Sequence, residues 1–255
     1  MDDCDVTSKD SRRAKLIHGK DAVKLRGKLT RSSQTAAATP VATKVPSTLI
    51  STCRNVRLFI DVMHVNEVAF LHATSEWIDF RVSTCLKVET KASSLSAIEN
   101  VINACKPGGF KVKCIDADLQ FEFVEDDVNG ALIEIVDADD HANPVERSTR
   151  TVKEVIRFIV EDVPFKRLPK IMTRGLVALS TRNLNQFPSK NGMSSSVSPL
   201  TIVTGKPKPG AMKFNLDYVS YVEVFEDDGF MQNSNMMRGA LAACIGTTPC
   251  RKASY

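Results

Sequence analysis

The chain has 255 residues, 43% of them apolar and 25% charged, enough for a sizeable core and too apolar for a wholly unordered protein. No stretch approaches 18 consecutive apolar residues, and the start, Met1-Asp-Asp-Cys-Asp5, is not a basic-then-apolar leader, so a soluble intracellular protein without a membrane partner is expected. The formal charge of +4 is mild but uneven: residues 1–50 hold ten Lys/Arg against five Asp/Glu, which leaves the rest of the chain near −1.

A basic arm ahead of a near-neutral domain suits an anionic polymer. Within it Lys24, Arg26, Lys28 and Arg31 are closely spaced, and residues 32–49 are rich in Ser, Thr, Ala and Pro. The whole of 1–50 reads as a flexible arm and linker, with too little apolar content to order itself. The seven cysteines are an odd number with no C-x-x-C pair, which argues against a disulfide framework or a zinc knuckle. Several sit in apolar runs, where a reduced thiol behaves as a small hydrophobe.

Val56 to Met63 is β-branched and aromatic and predicts a strand. Strands over Glu67 to Thr74 and Ile78 to Leu86 follow after short breaks, so the three pair as a meander. At Ser93 to Cys105 the period changes to helical, with Ser94 as cap, Ile98, Val101 and Ile102 as the stripe, and Lys106-Pro-Gly-Gly as the stop. Lys111 to Ile115 is a fourth strand and Ala131 to Val136 a short fifth. Both border an acidic run, residues 116–140, which holds ten Asp/Glu and no Lys or Arg. Its plainest reading is a hydrated acidic face.

A helix over 143–161 comes next. Asn143 suits the N-cap and Pro144 the first helical position, and Val145, Val152, Ile156 and Ile159 recur as a buried stripe. Glu146, Arg150 and Lys153 fall at i, i+4 and i+7 on another face, one carboxylate followed by two cations. The bland alternative is a capping box of Asn143 with Glu146 and a solvated Glu146–Arg150 pair. A second amphipathic helix spans Pro169 to Gln186, a short segment runs from Ser198-Pro199 to Gly205, and Tyr218 to Phe225 is a late strand. The last thirty residues are sparse in pattern. This order gives a mixed α/β fold with a partly antiparallel sheet, in three regions: the arm at 1–50, a core at 51–190 and its extension at 191–255.

Asp61 lies between apolar neighbours, where an ionised carboxylate is costly unless a cation or hydrogen bonds compensate it. Asp118 lies just past the fourth strand, where side chains project into a crevice, and Asp116 is its rival because a two-residue shift keeps the same face. Asp61, Asp118 or Asp116, and Glu146 would then be carboxylates converging on one point. Such hard oxygen ligands select Mg²⁺ or Mn²⁺, and two ions roughly 3.5 to 4 Å apart serve in-line phosphoryl displacement. Arg150 and Lys153, with Arg147 beside them, would hold nucleic-acid phosphates. His18, His64, His72 and His141 are too scattered for a zinc site, and His141 is expected to shape the helix entry.

Six stretches carry a resemblance. Phe59-Ile-Asp61-Val-Met-His-Val-Asn66, Gly109-Phe-Lys-Val-Lys113, Ala117-Asp118-Leu-Gln-Phe-Glu122, His141-Ala-Asn-Pro-Val-Glu146-Arg-Ser-Thr-Arg150-Thr-Val-Lys153-Glu154, Leu184-Asn-Gln-Phe-Pro-Ser-Lys-Asn-Gly192 and Ser198-Pro-Leu-Thr-Ile-Val-Thr-Gly205 together resemble the integrase core of Ty1/copia-type retrotransposon polyproteins, in particular copia-like elements of diatoms and other stramenopiles. The resemblance implies a ribonuclease-H-like mixed sheet flanked by helices, and a metal-binding Asp-Asp-Glu triad of Asp61, Asp118 and Glu146, since the family's second Asp is the one followed by Phe-Glu. It implies a DNA strand transferase that processes element ends and joins them to target DNA, using Mg²⁺ or Mn²⁺, as a homo-oligomer acting in the nucleus. With no His-His-Cys-Cys module before the core, a piece of a longer polyprotein is also implied. Two rival readings are a catalytically inactive nucleic-acid-binding remnant of such an element, and a nuclease that cuts without joining.

Overall fold

A computed structural model describes residues 8–18, 45, 47–128, 130–136, 144–163, 167–190, 192–205, 218–225 and 239–244. The chain divides into two units. The larger comprises Ala38–Tyr218 with Ile245–Ser254, and the smaller Met1–Ala37, Val219–Cys244 and Tyr255.

The larger unit is built on β1 (Asn55–Val65), whose alternating burial fits a strand with two covered faces. Asn66 and Glu67, both at positive φ, make the two-residue turn into β2 (Val68–Ser75), with Asp61 opposite His72 in the antiparallel register. β3 (Arg81–Leu86) completes the meander. It begins three residues later than the sequence pattern predicts. Ile78 and Phe80 alternate like strand residues, but they plug the core from a turn in which Trp77 and Asp79 sit at positive φ.

Among the described residues two helices precede β1: α1 (Ser8–His18), in the smaller unit, and α2 (Ser47–Thr52). α1 lies in the stretch expected to be an unordered arm, and α2 straddles its end at residue 50. Leu16 and Ile17 of α1 are exposed, so that helix forms without burying an apolar face. α3 (Lys91–Cys105) starts earlier than predicted, capped by Thr90, whose hydroxyl accepts from Ser93 N–H at 3.4 Å; Ser94, expected as the cap, is buried instead. A 3₁₀ turn over Lys106–Gly108 then leads to β4 (Lys111–Ala117), which pairs parallel with β1 up to Phe59 opposite Asp116. A 3₁₀ helix, Leu119–Asp127, crosses to β5 (Leu132–Ile135), again parallel.

The sheet order is β3-β2-β1-β4-β5. An antiparallel meander extended on one side by two parallel strands, with helices on its faces, is the ribonuclease-H-like mixed fold. One face packs Val56, Leu58 and Ile60 against Ala97, Ile98, Val101 and Cys105 of α3. Across β1 to β3 lie α4 (Pro144–Glu161) and α5 (Lys170–Gln186), which also pack on each other. The buried stripe of α4 is Val145, Ser148, Val152 and Ile156. Ile159, expected in it, is only half-buried, and Ser148 was not expected. α6 (Pro199–Thr204) is capped by Ser198 and closed by Gly205 in the left-handed conformation.

In the smaller unit β6 (Tyr221–Phe225) pairs antiparallel with β7 (Gly239–Ala243). β6 starts three residues after Tyr218 because Val219 is at positive φ, and β7 was not foreseen because its Gly and Ala residues show no alternation. Among the described residues no helix is long and apolar enough to cross a membrane.

Candidate functional site

Asp61 sits on β1 two residues beyond its last pairing with β4, so its carboxylate stands where the two parallel strands part. The half-buried side chain accepts the Val62 N–H at 2.6 Å and the Gln120 amide at 3.3 Å through the same oxygen, Oδ1. Asp118 is the first residue past β4. Its extended backbone ends the strand, and its carboxylate caps the following 3₁₀ helix by accepting Leu119 N–H at 2.9 Å. Gln120 belongs to that same helix and so ties it to Asp61. Glu146 lies in the first turn of α4, which carries it over β1 with its side chain exposed.

Asp118 and Glu146 both act on Asp61. Burial raises the Asp61 carboxyl above its ordinary value. The Val62 N–H opposes this, the negative charges of Asp118 and Glu146 add to the rise, and Gln120 again opposes it. Among the described residues no Lys, Arg or His forms an ion pair with any of the three, and Glu146 does not pair with Arg150. Arg147 and Arg150 are exposed and Lys153 half-buried along α4, also without an ion-pair partner among the described residues. Lys24, Arg26, Lys28 and Arg31 lie outside the described residues, as do Asn143 and His141.

Asp116 has a different neighbourhood. Arg57 donates through Nε to its Oδ2 at 2.9 Å and lies 2.9 Å from Oδ1, while the same guanidinium is 2.6 Å from Glu134 on β5. Cys114, Asp116 and Glu134 bring ligand-type atoms within 4.8 Å of one another. The guanidinium already stands among them, and the Cys114 thiol is pushed up to about 12, first by burial and then by hydrogen bonds to Glu134 and Asp116. This group is a charge-paired cluster. Asp61, Asp118 and Glu146 do not bring their carboxylate oxygens that close together; all three are hard oxygen donors of the kind Mg²⁺ and Mn²⁺ prefer, and among the described residues no side-chain cation pairs with them.

Sequence reasoning missed a buried polar chain beside the carboxylates. His72, on β2 opposite Asp61, places Nδ1 2.9 Å from Ser83 and Nε2 2.8 Å from Ser148 of α4. Arg81 donates through Nε to the same Ser148 hydroxyl at 3.1 Å and through Nη2 to Asp79 at 2.6 Å. Burial, with the Arg81 charge adding to it, pulls His72 down to about 3, so the ring is neutral. The available signals were a serine inside an apolar helical stripe and a histidine in an apolar strand.

No protein-family model and no curated protein matches the chain. Among solved structures the chain is similar to the catalytic core domain of HTLV-2 integrase in complex with magnesium. The trimeric form is 19% identical, with TM-score 0.44, over 58% of this chain and 96% of that one. The dimeric form is 18% identical, with TM-score 0.43, over 58% and 95%. The catalytic core domain of BIV integrase is likewise 18% identical, with TM-score 0.43, over 58% and 92%. At these scores the likeness carries nothing about activity.

Proposed function

We propose that this chain is an integrase-type DNA strand transferase of the Ty1/copia kind, in which Asp61, Asp118 and Glu146 bind Mg²⁺ or Mn²⁺. What supports the reading is the placement of Asp61 where β1 and β4 part, half-buried, near the carboxylates of Asp118 and Glu146, with no side-chain cation paired to any of them among the described residues; burial first, and those two charges after it, raise its carboxyl. Bound divalent ions would supply activation of the attacking oxygen and neutralisation of the leaving one.

The chain's own residues do the rest. Gln120 and the Val62 N–H hold Asp61 Oδ1 in one orientation, leaving Oδ2 for a ligand. Arg147, Arg150 and Lys153 follow Glu146 along the same helix and hold the DNA backbone beside the carboxylates by phosphate contacts, which position without reading sequence. In the first step a water oxygen attacks a phosphodiester in line and a 3′-hydroxyl leaves. In the second that 3′-oxygen attacks a target phosphodiester, one P–O bond forming as another breaks. Action in the nucleus and as a homo-oligomer belong to the same proposal, as does origin in a diatom-like copia element.

Calorimetric titration of the purified chain with Mn²⁺, beside Asp61→Asn and Glu146→Gln, tests it. Binding in the wild type that is lost in both variants is expected. A folded wild type that binds no Mn²⁺, alone or with a DNA duplex present, would leave only the inactive nucleic-acid-binding reading.

A further inference from the structure

The buried stripe of α4 contains one polar residue, Ser148, between Val145 and Val152. Apolar contact does not by itself fix a helix's roll, because a ridge of similar side chains packs almost as well after a small rotation or slide. A buried hydroxyl is less tolerant. Ser148 Oγ meets two groups fixed on different strands, Arg81 Nε at 3.1 Å and His72 Nε2 at 2.8 Å.

Arg81 can only donate, so Ser148 Oγ accepts from it, and the hydroxyl's second partner is His72 Nε2, in a direction set by the ring's tautomer. The other ring nitrogen, Nδ1, lies 2.9 Å from the Ser83 hydroxyl, which in turn lies 2.9 Å from Thr181 of α5. Arg81 is itself anchored: its side chain bonds Asp79, and its backbone N–H and C=O are both held by Asn185 of α5 at 2.9 and 2.6 Å. The hydrogen bonds therefore join α4, two strands and α5, with Ser148 as the member from α4.

We propose that Ser148, held between Arg81 and His72, is the positioning residue that sets the helical phase of Glu146 over Asp61. The proposal rests on the reading of Asp61, Asp118 and Glu146 as a metal site. Ser148 and Glu146 are two residues apart, about 200° around the helix, so a roll that takes the hydroxyl off its partners swings the carboxylate by the same angle. For a carboxylate about 6 Å from the axis, a roll of roughly 20° moves it about 2 Å. That is enough to unmake a ligand position, and residues that orient a ligand in this way change metal affinity when lost.

Distance measurements between spin labels, carried as noncanonical residues at Glu154 on α4 and Lys113 on β4, test this in the full chain, together with Mn²⁺ titration of the same samples. Ser148→Ala should shift or broaden the distance distribution and weaken Mn²⁺ binding roughly tenfold to hundredfold. Ser148→Thr, which keeps the hydroxyl, should return the wild-type distance. His72→Leu breaks the same bond from the strand side and should also move the distance, which serves if Ser148→Ala does not fold. A wild-type distance in folded Ser148→Ala overturns the proposal. A shifted distance with no Mn²⁺ binding even in the wild type overturns the metal reading and leaves the phase-setting role of Ser148 standing.

Discussion

Arg57 and Asp116 face each other across the parallel pair of β1 and β4, the guanidinium 2.9 Å from each carboxylate oxygen. Asp116 is therefore already satisfied by the protein, and its hydrogen bond is the main reason the Arg57 guanidinium holds its proton more tightly than usual. Asp118, two residues on, is exposed and has no such partner among the described residues. Asp116→Ala should lower stability by about 1–3 kcal/mol in urea unfolding and leave Mn²⁺ binding intact, whereas Asp118→Asn should remove the binding. The reverse pattern would exchange the roles of the two aspartates.

Without metal, Asp61 should cost stability. Its folded carboxyl is raised above the ordinary value of 3.8, so between that value and the raised one the folded chain holds more protons than the unfolded chain, and stability falls as pH rises. Asp61→Asn should therefore melt about 2 °C above the wild type at pH 7 in chelator, with the gap closing as pH drops below 3.8. Added Mn²⁺ should raise the wild type's melting temperature and leave the variant's unchanged. Equal melting of the two proteins in chelator at pH 7 would count against a carboxyl raised by burial and by its two acidic neighbours.

His72 acts with the opposite sign. Its folded value of about 3 lies below its ordinary 6.5, so as pH falls from 6.5 the unfolded chain takes a proton that the folded chain refuses. Stability from this group is complete above pH 6.5 and is lost toward pH 3, with a limiting slope of about 1.4 kcal/mol per pH unit. Chemical denaturation as a function of pH should show that slope in the wild type and its loss in His72→Leu.

Gly108 lies at the end of the 3₁₀ turn before β4, where an added Cβ would collide with the Val203 carbonyl oxygen and stand 2.6 Å from the Phe110 ring. The carbonyl is backbone and cannot step aside cheaply. Gly108→Ala should cost about 1–3 kcal/mol, read as a lowered urea midpoint with unchanged slope.

If Arg150 and Lys153 each contact a phosphate, replacing either with Ala should weaken binding to unrelated duplexes alike. Each loss should also reduce the slope of log K against log salt by about 1. Fluorescence anisotropy at several salt concentrations reads both effects, and an unchanged slope in the double variant would remove these two side chains from the interface.

Where local pattern and tertiary role agree, the sequence was readable. The β-branched run of β1, the fourth strand running into Asp118, and the proline-started helix that carries Glu146 all stand close to where periodicity put them. Ile78 and Phe80 misled because burial from a turn produces the same alternation as burial from a strand. Between Asp116 and Asp118, spacing could not choose. What separates them is Arg57, 59 positions from Asp116 in sequence, and no local pattern encodes that pairing. Ser148 was passed over for a related reason. A serine in an apolar stripe gains meaning only from the histidine and arginine beneath it, which come from strands far away in the chain.

The shortness of β5 has a consequence for how copies of this protein meet. β5 is the last strand on its side of the sheet, and among the described residues nothing pairs beyond it. An exposed sheet edge invites a strand from another chain, and a long flat one would nucleate aggregates. This edge spans only Leu132–Ile135 and carries Glu134 within it, bonded to Arg57. An intruding strand would gain few backbone hydrogen bonds there and would meet a carboxylate already committed elsewhere.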